Sequence, residues 1–282
     1  MKTVIFILVF LLLFLNSTGT LYAAPEEEPR IGLALSGGAA WGLAHIGVLE
    51  VFEEEGIDIC CIAGTSAGAI VGSFYAGGMS SREMRKLAEN ISWRRFLWPV
   101  ISELGLFSTE RLEEFIDNHL QGNEFADLDI DFTCVASDLG SGELVVLNDG
   151  SVARAVAASS AIPVIFEPVE INDRHLVDGG LISNLPLEIL EKKDDIDILI
   201  GVDVVSSFSF AEFPQSRIEV GIRSYNIMQQ YHVDSEGADI LIKPDLEGIS
   251  GIDFESYKKM IARGREAAAE VIPEIKNWDR TD

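Results

Sequence analysis

IAGTSAGAIVG (62–72) decides how this chain is read. An apolar run, ICCIA (59–63), stops at Gly64-Thr65-Ser66-Ala67-Gly68, and a second run of small and apolar residues follows. Ser66 stands in the middle of the turn, with a glycine two positions away on each side. A strand that turns sharply into a helix can hold one side chain out at the edge of a sheet. Its neighbours must then be glycine or alanine, because larger side chains would collide. These are the mechanics of the G-x-S-x-G nucleophile elbow. The helix that follows points free N–H groups and the positive end of its dipole toward Ser66, which favours negative charge there. The competing reading is a serine that only caps the helix.

Working outward, the same alternation of short apolar strands and helices continues. IGLAL (31–35) is a strand, SGGAAWG (36–42) a glycine turn, and Leu43 to Glu55 a helix stopped by Gly56. Ala67 to Ala76 is a helix of small residues. Ser80 and Glu83 form a capping box for a helix reaching about Ile91. Ser108 or Thr109 caps another, with Leu112, Phe115, Ile116 and Leu120 on one face. DFTCVASD (131–138), ELVVL (143–147) and HLVDGG (175–180) hold strands. DILIGVDVV (197–205) is a continuous apolar strand, as a parallel sheet covered on both faces requires. A helix around 218–231, a strand at 239–244 and a helix over about 253–271 follow. The pattern predicts an α/β fold, a three-layer α/β/α sandwich with a mainly parallel central sheet.

The chain has 282 residues, 48% hydrophobic, with a formal net charge of −25. That acidity argues against nucleic acid as a partner, because phosphates call for Lys and Arg. Lys2 precedes 12 apolar residues, Val4 to Leu15, too few to span a bilayer of about 30 Å at about 1.5 Å per residue. With small residues near Ala23, this reads as a signal peptide over 1–23, the competing reading being an uncleaved membrane anchor. An acidic spacer (24–30), a domain over 31–272 and a C-terminal tail (273–282) complete the expected organisation. Export to the periplasm or the outside is the expected fate, and the chain after the domain is too short for a membrane β-barrel. Cys60, Cys61 and Cys134 sit in apolar runs and read as free thiols; neighbours in a strand point to opposite faces, so Cys60 and Cys61 should not pair. No spacing suggests a metal site.

A serine nucleophile needs a positioned base. The chain offers four histidines, at 45, 119, 175 and 232, and Asp178 in VDGG. An ordinary α/β-hydrolase needs several strands before its elbow, and the stretch 24–65 has room for one strand, one helix and the elbow strand. Ser36-Gly37-Gly38-Ala39-Ala40-Trp41-Gly42 could expose N–H groups to a phosphate or an oxyanion. Dinucleotide binding is disfavoured, because Ala39 breaks G-x-G-x-x-G and the next strand ends in the Ser66 turn rather than in an acidic residue.

Three pieces thus stand in order: a glycine turn, G-x-S-x-G and D-G-G. LALSGGAAWGLAHIGVLEVFEEEGI, IAGTSAGAIVG and LVDGGLISNLP together resemble the patatin-like phospholipase family. ASSAIPVIFEPV (158–169) is similar to that family's segment between elbow and aspartate, and the likeness runs from about Ile31 to Glu270. The resemblance implies a Ser–Asp dyad acyl hydrolase without a cofactor or metal, acting on lipid acyl esters, with transient membrane or micelle contact. Ser66 would be the nucleophile and Asp178 the base; N–H groups of Gly37, Gly38 and Ala39 would form the oxyanion hole. Gly42, Gly64, Gly68, Gly179 and Gly180 would be motif glycines. Two positions depart from the family pattern, Ala39 for a third glycine and Trp41 for a basic residue. They motivate an alternative, a non-catalytic lipid-binding protein on the same scaffold. An exported serine peptidase is a third reading. ISWRRFLWPVISELGLF (91–107), aromatic and locally basic, reads either as a lid or acyl-entry wall or as a loop packed on the core. The residues are silent on head group, chain length and oligomeric state.

Overall fold

The computed structural model describes residues 29–92, 96, 99–100, 103–205, 213–231 and 233–278. The expected signal peptide, most of the acidic spacer, Trp93, Arg94, Arg95, Trp98, His232 and the last four residues lie outside them.

Ten strands and eight helices follow one another among these residues. The strands are β1 (Ile31–Leu35), β2 (Ile59–Gly64), β3 (Gly105–Phe107), β4 (Asp131–Asp138), β5 (Leu144–Leu147), β6 (Val164–Phe166), β7 (Val169–Ile171), β8 (Arg174–Asp178), β9 (Ile198–Val202) and β10 (Ile240–Ile242). The helices are α1 (Leu43–Glu55), α2 (Ala67–Ala76), α3 (Ser81–Asn90), α4 (Glu110–Leu120), α5 (Val152–Ser159), α6 (Leu187–Leu190), α7 (Arg217–Tyr231) and α8 (Tyr257–Lys276). The main sheet has the order β10-β9-β1-β2-β4-β8-β7, with β5 also paired to β4. β10, β9, β1, β2 and β4 are parallel, while β5 and β8 run antiparallel to β4. β3 and β6 form a separate parallel pair.

Period-two side-chain alternation divides the core between the two faces. Leu33, Leu35, Ile62, Phe132 and Cys134 enter the larger cluster with residues of α1, α2, α5 and α8. Ala34, Ala63 and Val135 enter the smaller one with Leu185, Leu187 and Leu190. This is the expected mainly parallel α/β/α sandwich. α1 lies on α8 at very short range, because a Cβ on Gly47 or Gly264 would run into a backbone carbonyl of the facing helix. Arg265 of α8 binds Glu50 and Glu54 of α1, and Arg85 of α3 closes on Glu50 at 2.5–2.6 Å.

The capping box at Ser80 and Glu83 is present. Three expectations are corrected. Cys60 and Cys61 do not face opposite sides: the pairing of β1 with β2 shifts register between Ile31 and Gly32. That bulge turns both side chains toward the smaller cluster, with their sulfurs 3.4 Å apart and both thiols free. β9 ends at Val202, and the chain turns at Asp203, whose Oδ1 accepts from the N–H of Val205. The last helix continues to Lys276 because Ile272 and Ile275 still bury their side chains. Helices α5 and α6 and strands β3, β6 and β7 escaped the sequence reading; all are short, with α5 only eight residues long.

The topology of β4 positions the site. On one edge, its first half (Asp131–Cys134) pairs in parallel with β2. Further along, Ala136–Asp138 pair antiparallel with β8. β5 occupies the other edge over Cys134–Ser137, so β2 and β8 share one edge and point their C-terminal ends at each other. Gly64 sits opposite Cys134 and Asp178 opposite Ala136, two residues apart, or about 7 Å along the strand.

Candidate active site

Ser66 follows β2 at φ +52 and ψ −118, a conformation that L-residues avoid and that costs about 1–3 kcal/mol. Its surroundings enforce it. Its N–H donates to Ser159 Oγ at 2.9 Å, the preceding N–H of Thr65 to Leu35 O at 3.1 Å, and the Thr65 hydroxyl to Ser183 O at 3.1 Å. Any Cβ on Gly68 would strike Leu35 O, and one on Gly64 would come within 2.7 Å of Ala69 Cα. Gly42 leaves room for the side chain of Ala67 in the same way. The elbow is therefore built from close backbone contacts, and Ser66 is only 6% exposed.

Asp178 ends β8 fully buried. Its N–H donates to Ala161 O, its carbonyl accepts from Ser137 Oγ, and its Oδ1 accepts from the N–H of Gly180 at 2.9 Å. Oδ2 has no regular hydrogen-bond partner. The hydroxyls of Ser66 and Tyr225 both act on this carboxylate. Burial pushes the carboxyl up to about 6, against the pull of the Gly180 N–H and the two hydroxyls. A Cβ on Gly179 would strike Val135 O. One on Gly180 would run into Gln229 Nε2 and stand 2.8 Å from Asn184 Oδ1. The two glycines thus admit β4 on one side and side chains of α7 and Asn184 on the other.

The glycine turn lies beside Ser66, since a Cβ on Gly37 would be 3.2 Å from Ser66 Cβ. The Gly37 N–H already donates to Asn184 O at 3.1 Å, which narrows the candidate oxyanion donors. The N–H groups of Gly38 and Ala39 make no hydrogen bond to the described residues. Ala39 takes φ +49 despite its Cβ, so alanine bears there the strain that glycine would avoid. Trp41 points away into the core, 2% exposed, and donates Nε1–H to Ile249 O at 2.9 Å.

The described histidines separate from this chemistry. His45 is fully buried and sits 2.9 Å from Ser36 O through Nε2. Burial holds it down at about 4, so it is neutral and donates that Nε2–H. His119 donates Nδ1–H to Phe115 O, one helical turn back. His175 is exposed on β8.

An apolar cavity of about 90 Å³ opens at Ser66 and Ala39, walled by Ile70, Ile91, Phe96, Leu112, Phe115 and Ile162. Phe96 belongs to the aromatic stretch; it is buried against Phe115, with ring centres 5.1 Å apart. A larger cleft of about 430 Å³ lies between α7 and residues 248–253, and neither Ser66 nor Asp178 lines it. No group of three or more His, Cys, Asp or Glu among the described residues could hold a metal, and no described helix is long and apolar enough to cross a membrane.

Sequence reasoning missed Ser159, Asn184, Tyr225 and Gln229. The first two lie in segments quoted for the family likeness. Nothing in SYNIMQQ (224–230) distinguishes Tyr225 and Gln229 from the apolar face of a helix.

An elbow serine and a buried carboxylate thus meet on a mainly parallel sheet. The chain belongs to the patatin-like phospholipase family, whose model matches residues 33–191. It is 38% identical over 165 residues to the uncharacterized NTE family protein Rv1063c of Mycobacterium tuberculosis, covering 57% of this chain and 46% of that one. It is 34% identical over 188 residues to Lysophospholipase NTE1 of Candida glabrata, covering 62% of this chain and 10% of that one. The chain spans less than half the length of these curated relatives. In fold it is similar to VipD of Legionella pneumophila, with a TM-score of 0.65 at 14% identity, covering 88% of this chain and 67% of that one. ExoU of Pseudomonas aeruginosa gives 0.53 at 16% identity, covering 89% and 53%.

Proposed function

We propose that the protein is a serine acyl hydrolase that cleaves fatty-acyl ester bonds of lipids through Ser66 and Asp178. The observation carrying this reading is the meeting of the β2 and β8 ends on one edge of β4, which aims a strained, buried serine at a buried carboxylate. Ser66 Oγ attacks the acyl carbonyl and its proton passes to Asp178. The N–H groups of Gly38 and Ala39 are candidate donors to the oxyanion, and each such donor is worth about 3–4 kcal/mol of transition-state stabilisation. As the tetrahedral intermediate collapses, the proton leaves with the alcohol. Asp178 then takes a proton from water, which attacks the acyl-serine; as the second intermediate collapses, that proton passes to Ser66 Oγ and the fatty acid leaves. A carboxyl near pKa 6 suits this work, since it is ionised at neutral pH yet more basic than an exposed aspartate. The apolar walls of the cavity at Ser66 suit the first methylenes of an acyl chain. Membership of the patatin-like phospholipase family and the lysophospholipase name of one relative support the same substrate class. Export is part of the proposal and rests on the apolar N-terminus alone.

The test compares the wild type with Ser66→Ala and Asp178→Asn on aryl esters of increasing acyl length, with EDTA present. The expected result is a loss of about 10⁴-fold or more in kcat for each variant with the fold intact. A wild type silent on every ester and unlabelled by a fluorophosphonate would leave the lipid-binding scaffold standing. Full activity in Ser66→Ala would remove Ser66 from the chemistry.

A further inference from the structure

Helix α7 sends two side chains into the site from outside the residues that match the family model. Tyr225 is 7% exposed and Gln229 1% exposed; four residues apart, they share one face of the helix. The Tyr225 hydroxyl and Oδ2 of Asp178 are both buried, and neither has a regular hydrogen-bond partner. Each is the obvious complement of the other, because a carboxylate can only accept and a protonated phenol has one hydrogen to give. Gln229 Nε2 donates to Asn184 Oδ1 at 3.0 Å. Its second hydrogen is free for the Tyr225 oxygen, on which Gln229 also acts. Gly180 is the gap through which they approach: a Cβ there would collide with Gln229 Nε2 and stand 3.0 Å from Tyr225 Oη.

We propose that Tyr225 is a positioning residue: braced by the Gln229–Asn184 amide pair, its hydroxyl donates to Oδ2 of Asp178 and holds that carboxylate charged and facing Ser66. The proposal rests on the Ser66–Asp178 reading. The donors run in one direction, from the Gln229 amide to the phenol oxygen and from the phenol hydrogen to the carboxylate. Burial and the neighbouring Asp178 charge keep Tyr225 protonated, pushing its ionisation well above the ordinary tyrosine range. The groups acting on Asp178 are the Gly180 N–H beyond β8, the Ser66 hydroxyl from the elbow and the Tyr225 hydroxyl from α7. The other buried titratable groups nearby are engaged elsewhere, His45 with Ser36 O and Asp203 with the Val205 N–H.

The experiment follows the Asp178 carboxyl carbon by NMR in the full chain, assigned by its loss in Asp178→Asn, beside the pH profile of kcat/KM. In the wild type both midpoints are expected at about 6. Tyr225→Phe removes one hydrogen bond to the charged form, so both midpoints move up by about one pH unit. At pH 5 the variant is then about tenfold slower, while above pH 8 most of the difference closes. Gln229→Leu moves them the same way by less. A Tyr225→Phe carboxyl midpoint that stays at the wild-type value, in a folded protein, overturns the proposal. The two readings fail separately. If Ser66→Ala keeps its activity while the carboxyl midpoint still moves, the nucleophile assignment falls and the positioning role stands.

Discussion

The two halves of the site are held by different forces. Around Ser66, the backbone does the holding: close carbonyl contacts at Gly68, a packed turn and a left-handed serine whose N–H is satisfied by Ser159. Around Asp178, side chains from far along the chain do it, and three buried polar atoms, Asp178 Oδ2, Asn184 Nδ2 and Tyr225 Oη, are left short of partners. The first half is built on close backbone packing, with its partners drawn from Leu35, Ser159 and Ser183. The second is desolvated, chemically poised and assembled from β8, Asn184 and α7. A nucleophile needs a fixed direction, whereas a base needs a tuned proton affinity, and the two arrangements suit those needs.

Substitutions at the two kinds of glycine sharpen this contrast most. Gly68→Ala sets a Cβ against Leu35 O and Ser36 O, backbone that cannot move without breaking the sheet edge. The expected cost is about 3 kcal/mol or more, read as a large fall in the urea midpoint. Gly180→Ala meets the ends of side chains instead. Its cost should be about 1–2 kcal/mol, with hydrolysis falling further than stability because Gln229 and Tyr225 are displaced. Equal urea midpoints for the two variants would erase the distinction.

Asp178→Asn tests whether the second half stores a penalty. The folded carboxyl sits at about 6, above its ordinary 3.8, so the folded state binds the proton more tightly than the unfolded chain. Wild-type stability therefore falls as pH rises from about 3.8 through about 6 and stays reduced above that. The neutral amide removes the penalty, and Asp178→Asn should gain about 1–3 kcal/mol at pH 8 and nothing below pH 4. Thermal melts at the two pH values measure it; an equal effect at both would show that the carboxyl is not strained by burial. The smallest effect is expected at His45. His45→Gln can keep the bond to Ser36 O and should leave the activity midpoint at about 6. Loss of that limb in a folded variant would restore a histidine as the base.

Most of the scaffold was legible. β1, β2, β9 and the helices after them announced themselves through apolar runs and caps, because strands covered on both faces and capped helices follow local rules. The elbow and D-G-G were visible for the same reason. Legibility failed where local pattern and tertiary role parted. Nothing local marks the bulge that brings Cys60 and Cys61 together, since it is a property of pairing with β1. Tyr225 and Gln229 look like any helix face until the helix is docked. Trp41 stands where the family pattern has a cation, yet its ring is used to pack against the 249–251 loop.

The sequence by itself determined that Ser66 sits on a strand-to-helix turn, because only small residues allow that backbone path. It also determined that a carboxylate follows a later strand. Only the tertiary structure decided that the two meet, because β2 and β8 run head to head along one edge of β4. It alone gave Asp178 its proton affinity, since desolvation depends on every element packed around a group and on no residue's neighbours in sequence.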